Sequence, residues 1–415
     1  MNCKLKNGPY TWVPSLYFAE ALPYMAVMTL SVIMYTNLGL TNTQLALYTS
    51  WLYLPWVIKP LWSPFVDSIR TKRWWILVMQ ILMGASLAGV AFTLQTSLWL
   101  QGSLCLFWLM AFSSATHDIA ADGFYILGLS DKQQALYVGV RSTFYRVGSI
   151  FCQGILVVLA GWLQSRFSVS MAWSCTMLFM AAILLLLACW HGTFLPRVET
   201  QGQAVGPGSL HAFADTLRSF FSRPHIVPAL LFMLFFRFPE AQLAKMAQPF
   251  MLRPLSQGGL ELSTEAVGFV YGTVGVVCLL LGGLLGGYVV SRHGLRRWLW
   301  PMVVAISVPD IVYVYFAAAQ PQSLWLINTG VALEQFGYGF GFTAYMLYLV
   351  YFSRGENSTS VFSVCTAFQA LGMMIPGMFA GWLADTMGFT SFFIFVVICC
   401  LVTCLVSALI RKDCE

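Results

Sequence analysis

Charge is scarce in this sequence. Only 9% of its 415 residues are Asp, Glu, Lys or Arg, whereas 59% are hydrophobic. Soluble chains carry about 25% charged residues. Because so few charges cannot cover the surface of an ordinary soluble domain, that class is excluded. Lipid is therefore the expected solvent for most of this chain.

Patterns typical of metal sites and disulfide frameworks are also missing. The chain has 11 cysteines, but they form no CxxC pair and no zinc-ligand spacing. His117 adjoins an acid but has no second histidine at ligand spacing. Most cysteines lie inside apolar segments, where cysteine packs as a small hydrophobe: Cys105, Cys152, Cys175, Cys189, Cys278, Cys365, Cys399, Cys400 and Cys404. We therefore expect neither a metal nor a cofactor.

The sequence carries no catalytic or nucleic-acid-binding signature. The glycine-rich stretches 282–287 and 337–341 lack the strand-to-helix context of a nucleotide loop. Inside apolar helices they are predicted to allow close helix packing. No nucleophile, base and orienting partner can be assembled, and basic residues scattered over short loops form no nucleic-acid-binding face. The chain is therefore predicted not to be an enzyme and not to bind nucleic acid.

What the chain does have is a series of apolar segments, each long enough to cross a bilayer at about 20 residues. Twelve are predicted: 12–37, 44–66, 74–95, 98–129, 134–163, 169–190, 226–252, 264–290, 298–318, 322–352, 359–384 and 389–410. The first begins so early that we expect no cleavable signal peptide. The predicted fold class is an all-α membrane protein.

Basic residues are distributed unequally between the two sides of these segments. With a cytoplasmic N-terminus, fifteen Lys and Arg residues fall on the cytoplasmic side, and only Arg166 and Arg253 face the other way. This bias predicts that both termini are cytoplasmic, which requires an even number of crossings.

A polar stretch from Trp190 to Pro224 divides the segments six and six. The predicted domains are a six-helix bundle at 1–190, a cytoplasmic linker at 191–224 with a short amphipathic helix at 211–221, and a second six-helix bundle at 225–415. Two motifs recur in order: the basic loop before Trp74 matches that before Trp298, and residues 160–163 match residues 380–383. A duplicated six-helix unit is therefore predicted.

Charged residues inside the apolar segments indicate the function. They are Glu20, Asp118, Arg146, Arg237 and Glu240. A charge at membrane depth costs about 2.5–3.5 kcal/mol on insertion scales, so it persists mainly where it faces a partner or a polar cavity. The sequence therefore predicts a transport pathway, with these groups from both halves converging on one central cavity.

Coupling to protons requires a carboxyl group that gains and loses a proton during the cycle. The candidates are Glu20, Asp118, Asp122, Glu240 and Glu334. We favour Asp118, because it adjoins His117 and lies near an arginine. Asp118 and Asp122 are four residues apart and should share a helix face. Alternatively, His117 only donates a hydrogen bond to a backbone carbonyl.

Cations and aromatic rings near the buried charges are the predicted substrate ligands. An arginine can bind a carboxylate or phosphate through two hydrogen bonds, and a sugar can stack on an aromatic ring. The candidates are Arg141, Arg146, Arg237, Lys245, Tyr17, Tyr24, Phe124, Tyr145 and Tyr338. Of the two arginines on the fifth segment, Arg146 is expected to face the cavity, with Arg141 nearer a gate.

Proline interrupts two of the later segments. Pro239, between Arg237 and Glu240, should break the seventh segment and let it line a site. The alternative is a static salt bridge between Arg237 and Glu240. Asp310, after Pro309 on the ninth segment, is expected to face lipid or a peripheral surface.

The six-plus-six pattern with basic loops after segments 2 and 8 resembles the major facilitator superfamily. Its signature loop, Gly-x-x-x-Asp-Arg-x-Gly-Arg-Arg, is approached by residues 287–297 with Ser291 in place of the acid, and a looser first copy keeps Asp67. The resemblance implies that Asp67 latches a cytoplasmic gate. The basic residues that it places at this gate are Arg70, Arg73, Arg292 and Arg296.

Further motifs are similar to one branch, the muropeptide permease family AmpG. They lie at 59–67, 114–122, 145–148, 237–241 and 334–341, and the second of them also occurs in the related acetyl-CoA transporters. The resemblance implies a monomer that imports GlcNAc-anhydromuramyl peptides across the bacterial inner membrane. It implies that the proton gradient is the energy source.

Two positions depart from the pattern of these permeases. His117 stands where they usually have Gln, and Tyr125 stands where they have Lys. Because a phenol replaces a cation, the charge balance beside the cavity changes. Another anionic solute, such as acetyl-CoA or a siderophore-like chelate, is therefore the alternative substrate.

Overall fold

A computed structural model describes residues 8–198, 215 and 217–410, apart from 356 and 357. In this part of the chain every regular element is a helix. The prediction of an all-α protein is therefore confirmed. In the predicted linker helix at 211–221, residues 211–214 and 216 lie outside the described residues, while 215 and 217–221 are helical.

The α-helices with described bounds are numbered in chain order. They are α1 Pro9–Met25, α2 Ser31–Asn37, α3 Asn42–Trp51, α4 Leu54–Ile69, α5 Lys72–Thr93, α6 Trp99–Gly128, α7 Asp131–Ile150, α8 Val157–Gln164, α9 Val169–Phe194, α10 Ile226–Phe235, α11 Phe238–Leu252, α12 Thr264–Val267, α13 Val276–His293, α14 Leu295–Ser307, α15 Ile311–Ala319, α16 Leu324–Phe352 and α17 Ser358–Ile410.

The chain forms two compact units. The first comprises the described residues within Met1–Ser31 and Ile58–Ala212, and the second those within Val32–Val57 and Phe213–Glu415. Residues 32–57 belong to the second unit because their polar groups bond to it. The Thr43 amide and hydroxyl donate to Asp385 Oδ2 over 2.7 and 2.6 Å, and Arg253 Nε donates to Asn42 Oδ1 over 3.1 Å. The predicted bundles at 1–190 and 225–415 stay a prediction.

In the described chain, nine helical stretches are long and apolar enough to cross a membrane. Eight of them each match one predicted segment. The ninth, Ser360–Ile410, covers the last two predicted segments, and the helix is interrupted between them at Gly388, whose φ of 76° and ψ of 159° are not helical. The second predicted segment is divided into α3 and α4 just before Pro55, and the tenth is the continuous helix α16. The count of twelve crossings stays a prediction.

Proline accounts for two of the helix breaks, because it donates no backbone hydrogen bond and its ring clashes with the preceding turn. α10 ends at Phe235 and α11 begins at Phe238, with Arg237 outside helical geometry (φ −98°, ψ 17°). The predicted break at Pro239 is thus confirmed. Pro309 lies in a short 3-10 turn, Val308–Asp310, between α14 and α15.

Glycines allow α13 and α16 to pack with their backbones in contact. A Cβ atom at Gly282 would lie 2.1 Å from the carbonyl oxygen of Phe336, and one at Gly339 would lie 2.0 Å from that of Leu279. No side chain fits at such distances, so these positions require glycine. The interpretation of the glycine-rich stretches as packing surfaces is confirmed.

Candidate functional site

An acidic cluster in the first unit is built from four helices. Glu20 lies on α1 and Lys59 on α4. Asp118 and Asp122 lie one turn apart on α6, and Arg141 lies on α7. Carboxylate oxygens of the three acids all lie within 4.8 Å of one another. The prediction that Asp118 and Asp122 share a helix face is confirmed.

Two of the three acids are paired with cations. Lys59 Nζ binds Asp118 Oδ2, and Arg141 Nη2 lies 2.6 Å from Asp122 Oδ1. The same Asp122 oxygen accepts a hydrogen bond from the Tyr17 hydroxyl at 3.3 Å. The Arg141 guanidinium lies 4.4 Å from the centre of the Tyr17 ring, close enough for a cation–π contact.

Glu20 is the third acid, and no cation is left for it. Its side chain is in hydrogen-bonding contact with Asp118. Its Oε2 atom has no hydrogen-bond partner among the described residues, and Glu20 is only 8% exposed. Two ionised carboxylates are both acceptors, so a hydrogen bond between them requires a proton. Three acids and two cations therefore leave one position for a proton in this cluster.

Sequence reasoning missed Lys59. It lies inside the second predicted segment, 44–66, and its depth in an apolar stretch was the signal that could have revealed it. The cation expected beside Asp118 was an arginine, but the structure places Lys59 there.

The structure brings only one of the two arginines on α7 to the acidic cluster, and which of them faces a cavity stays a prediction. Arg141 joins the acidic cluster, whereas Arg146 forms no ion pair with any described carboxylate. Five residues correspond to about 140° around a helix at 3.6 residues per turn, so only one arginine can face the acids. A substrate contact by Arg146 stays a prediction.

His117 belongs to a buried chain of polar side chains. The Ser15 hydroxyl lies 2.9 Å from His191 Nε2, His191 Nδ1 lies 2.9 Å from Gln80 Oε1, and Gln80 Nε2 lies 3.0 Å from His117 Nε2. His191 uses both ring nitrogens, whereas His117 uses only Nε2, and its buried Nδ1 has no partner among the described residues. A neutral imidazole has one donor and one acceptor nitrogen. The alternative of a backbone carbonyl as partner of His117 is wrong. These hydrogen bonds link α1, α9, α5 and α6. They favour a role for His117 in positioning these helices.

Four of the five predicted aromatic ligands lie in the first unit. Tyr17 contacts both Asp122 and Arg141, while Tyr24 and Tyr145 are half-buried near Glu20. Phe124 is fully buried and packs edge-on against Trp12 with ring centres 5.1 Å apart. In this structure Phe124 is a core residue, and its substrate contact stays a prediction.

In the second unit, Arg237 lies at the break between α10 and α11 in an aromatic environment. It donates a hydrogen bond to the Tyr338 hydroxyl, and its guanidinium lies 4.7 Å from the centre of the Phe342 ring. Its Nε atom has no partner among the described residues, although Arg237 is only 8% exposed. It forms no salt bridge with Glu240, so the alternative of a static pair is wrong.

Lys245, two turns further along α11, is likewise buried without an acid. Its Nζ donates to the Thr49 hydroxyl at 3.0 Å and lies 5.7 Å from the centre of the Tyr53 ring. Neither contact neutralises the ammonium group. The second unit therefore holds two buried cations that an anionic ligand could neutralise.

The same unit holds two further buried acids. Glu334 on α16 accepts hydrogen bonds from Gln335 Nε2 at 3.0 and 3.2 Å and lies 3.5 Å from the Tyr313 hydroxyl. Asp310 contacts Cys400 Sγ at 3.5 Å and is 3% exposed. The prediction that Asp310 faces lipid or a peripheral surface is wrong, because its side chain is buried and contacts Cys400 on α17.

Among the predicted gate residues, Arg70, Arg73 and Arg292 each contact a different group. The side chain of Asp67 lies outside the described residues. Arg73 donates to the carbonyl oxygens of Gly192 at 2.5 Å and Leu195 at 3.1 Å, which satisfies acceptors at the C-terminal end of α9. Arg70 lies over Trp74 and Arg292 over Tyr288. A gating role for these residues and for Arg296 stays a prediction.

Glu20, Asp118 and Asp122 are close enough together to be tested as a metal site. Lys59 and Arg141 already bind two of these carboxylates. Because the cluster lacks only one positive charge, its donor set does not fit a divalent ion with three carboxylate ligands. The arrangement suits a proton better than a metal.

Known proteins share both sequence and fold with this chain. It is 26% identical over 347 residues to the anhydromuropeptide permease of Escherichia coli strain K12, a match that covers 82% of this chain and 67% of that one. It is 24% identical to a putative transporter, AmpG 4, of Rickettsia conorii, over 83% and 82% of the two chains. These relatives support the resemblance to muropeptide permeases.

Solved transporter structures have the same fold. A D-xylose-proton symporter superimposes with a TM-score of 0.73 over 96% of both chains at 12% identity. The nucleoside transporter NupG does so with a TM-score of 0.71 over 100% of both chains at 15% identity. The sequence profile of the Major Facilitator Superfamily matches residues 15–349 and 243–413. The chain therefore belongs to the Major Facilitator Superfamily and is a multi-pass membrane transporter rather than an enzyme.

Proposed function

We propose that this chain imports GlcNAc-anhydromuramyl peptides across a bacterial inner membrane, driven by the proton gradient. The observation that carries the proton coupling is the acidic cluster of the first unit, where Glu20 is buried without a cation beside Asp118. The printed name of the E. coli relative supports the choice of substrate.

The cluster suggests how a proton is held and released. While Glu20 is enclosed, its ionisation would leave a buried charge without compensation, so the neutral acid is favoured. Water entering the cluster, or Lys59 moving away from Asp118 towards Glu20, would stabilise the ionised form. Glu20 therefore replaces Asp118 as our preferred proton carrier, because Asp118 already has a cation.

The second unit supplies groups suited to an anionic solute. Arg237 and Lys245 are buried, and neither forms an ion pair with a described acid. A carboxylate of a muropeptide would satisfy the unpartnered Nε of Arg237, and a sugar ring could stack on Tyr338. We assign substrate binding to these residues.

Uptake into proteoliposomes under an imposed inward proton gradient tests this proposal. We expect labelled anhydromuropeptide to accumulate, and a protonophore to abolish the accumulation. Acetyl-CoA and a ferric chelate are supplied in parallel. If anhydromuropeptide enters at the rate of protein-free liposomes, the substrate assignment fails. If it equilibrates but never accumulates, the proton coupling fails.

One observation favours the alternative of another anionic solute. Tyr125 stands where similar permeases have Lys, and its hydroxyl donates to the carbonyl oxygen of Gln134 at 2.6 Å. Its ring also lies 5.5 Å from the Arg141 guanidinium. Accumulation of acetyl-CoA or of the chelate in place of muropeptide would support this alternative.

A further inference from the structure

Two carboxyl groups of the second unit are buried apart from the cluster around Glu20. Asp310 lies at the end of the 3-10 turn between α14 and α15 and is 3% exposed. Glu334, on α16, is 2% exposed. Tyr313, which follows Asp310 by three residues on the next helix, contacts Glu334 through its hydroxyl.

Asp310 has a poor environment for a negative charge. Its Oδ2 atom contacts only the Cys400 thiol, which is a weak donor. Its Oδ1 atom is buried and has no partner among the described residues, and neither has the hydroxyl of Ser307 one turn earlier. An isolated carboxylate buried in this way is strongly unfavourable, and protonation is the usual remedy.

Glu334 has a better set of donors. The Gln335 amide and the Tyr313 hydroxyl approach its two oxygens, and Gln335 also bonds to the Tyr271 hydroxyl at 3.2 Å. These neutral donors stabilise the ionised form of Glu334 by hydrogen bonding. None of them carries a positive charge that would neutralise it. The two acids therefore differ in how well each tolerates ionisation, and this difference favours a proton on Asp310.

No cation compensates either acid. In the described part of the chain, neither forms an ion pair with Lys, Arg or His. The titratable groups that face them from neighbouring elements are Glu240 on α11, Tyr271 in the π-helical segment Gly268–Gly275, Tyr313 on α15 and Cys400 on α17. All four are acids, so each adds to the cost of a second negative charge.

We propose that Asp310 and Glu334 form a second proton-binding site, located in the second unit and separate from the Glu20 cluster. The pair holds a proton while the break at Pro309 is closed. The proton leaves when this break opens to water. Coupling of this proton to solute movement rests on the proposed function, whereas its presence on the protein does not.

Infrared difference spectroscopy on the protein in lipid nanodiscs tests the presence of the proton. The Glu20 cluster should contribute its own band of a protonated carboxyl group, so the band of interest is the one that remains in Glu20→Gln. We expect this carbonyl band at neutral pH to disappear in Asp310→Asn. Cys400→Ala removes the thiol that contacts Asp310, so it should shift this band, while Cys399→Ala is the matched control and should leave it in place. A wild-type spectrum without the band, or a band unchanged in both Asp310→Asn and Cys400→Ala, would overturn the proposal.

The number of protons moved per solute tests the coupling. It is obtained from the membrane potential at which net flux reverses. We expect Glu334→Gln and Asp310→Asn each to move one proton fewer per solute than the wild type. An unchanged ratio in both variants would contradict the coupling of this site. If the wild type moves no protons, the proposed function fails, and the infrared result still decides whether the site exists.

Discussion

Glu20 is the one acid of the first-unit cluster that no cation neutralises. Glu20→Gln keeps the shape of the side chain and its contact with Asp118 but removes the ionisable proton. A gradient of one pH unit supplies about 1.4 kcal/mol per proton, equivalent to about tenfold accumulation. We expect the variant to lose this accumulation and to retain exchange of labelled for unlabelled solute.

Uptake and counterflow in the same proteoliposomes measure these two properties. Glu265→Gln is the matched control, because Glu265 is an exposed acid in the first turn of α12. It should accumulate solute like the wild type. Full gradient-driven accumulation by Glu20→Gln would remove Glu20 from the coupling role.

Arg237 differs from a lysine in the planar guanidinium that lies beside two aromatic rings. Arg237→Lys keeps the charge but loses the planar donor set and the stacking geometry. A hydrogen bond to a charged group contributes about 1.5–3 kcal/mol. We therefore expect solute affinity to fall by about tenfold or more, measured by calorimetry or by the KM of uptake.

Arg166→Lys is a suitable comparison for this substitution. Arg166 also lies against an aromatic ring, 3.8 Å from the centre of Trp162, but it is exposed and far along the chain from the proposed ligands. Its substitution should leave affinity unchanged. Equal affinities for Arg237→Lys and the wild type would exclude Arg237 as a substrate ligand.

For single residues, the sequence predicted which charged residues lie inside the apolar segments better than it predicted which residues they contact. The helix period alone was enough to place Asp118 and Asp122 on one face. Recognising Lys59 as the partner of Asp118 required knowing how α4 packs on α6, and choosing Arg141 over Arg146 required the rotation of α7. Neither quantity follows from spacing along one segment. Asp310 was misjudged for the same reason.

Helix packing in the second unit depends on individual glycines. We expect Gly282→Ala to lower the thermal unfolding temperature and the yield of folded protein, because its Cβ would lie 2.1 Å from a backbone oxygen that cannot move independently. Gly287→Ala, on the same helix α13, meets nothing within 4 Å and should have little effect. Fluorescence-detected size exclusion after heating compares the two.

If Gly282→Ala were more stable than Gly287→Ala, the packing role of Gly282 would be contradicted. Equal stability would do so as well, because it would mean that α13 and α16 can separate at no cost. The comparison is controlled for helix propensity, since both substitutions replace glycine with alanine in the interior of one helix.

Element boundaries were predictable where proline or apolar length determined them. The break at Pro239 and the course of most apolar segments follow from the sequence. The π-helical segments Ala26–Leu30, Phe151–Leu156 and Gly268–Gly275 had no signal in the sequence. π-helical insertions are rare, and the residue types in these segments are those of an ordinary apolar helix.

Over the whole molecule, the two units differ in how they pair the charges inside their apolar segments. The first pairs Asp118 with Lys59 and Asp122 with Arg141. The second leaves Arg237, Lys245, Asp310 and Glu334 without ion pairs among the described residues. A paired set with one excess acid suits proton binding, whereas unpaired cations suit an anionic ligand. Coupling would then require that a change in one unit alters the other.

The orientation of the whole chain is the last prediction. The bias of Lys and Arg places both termini in the cytoplasm, so a fluorescent protein fused to the C-terminus should fluoresce, and alkaline phosphatase at the same position should be inactive. Phosphatase inserted after Gly39, in the first loop predicted to be external, should be active. Insertion after Arg70, in the next loop, should again be inactive and serves as the internal control. Phosphatase activity at the C-terminus would mean an odd number of crossings, and the six-plus-six arrangement would then be wrong even though the helices are correctly placed along the chain.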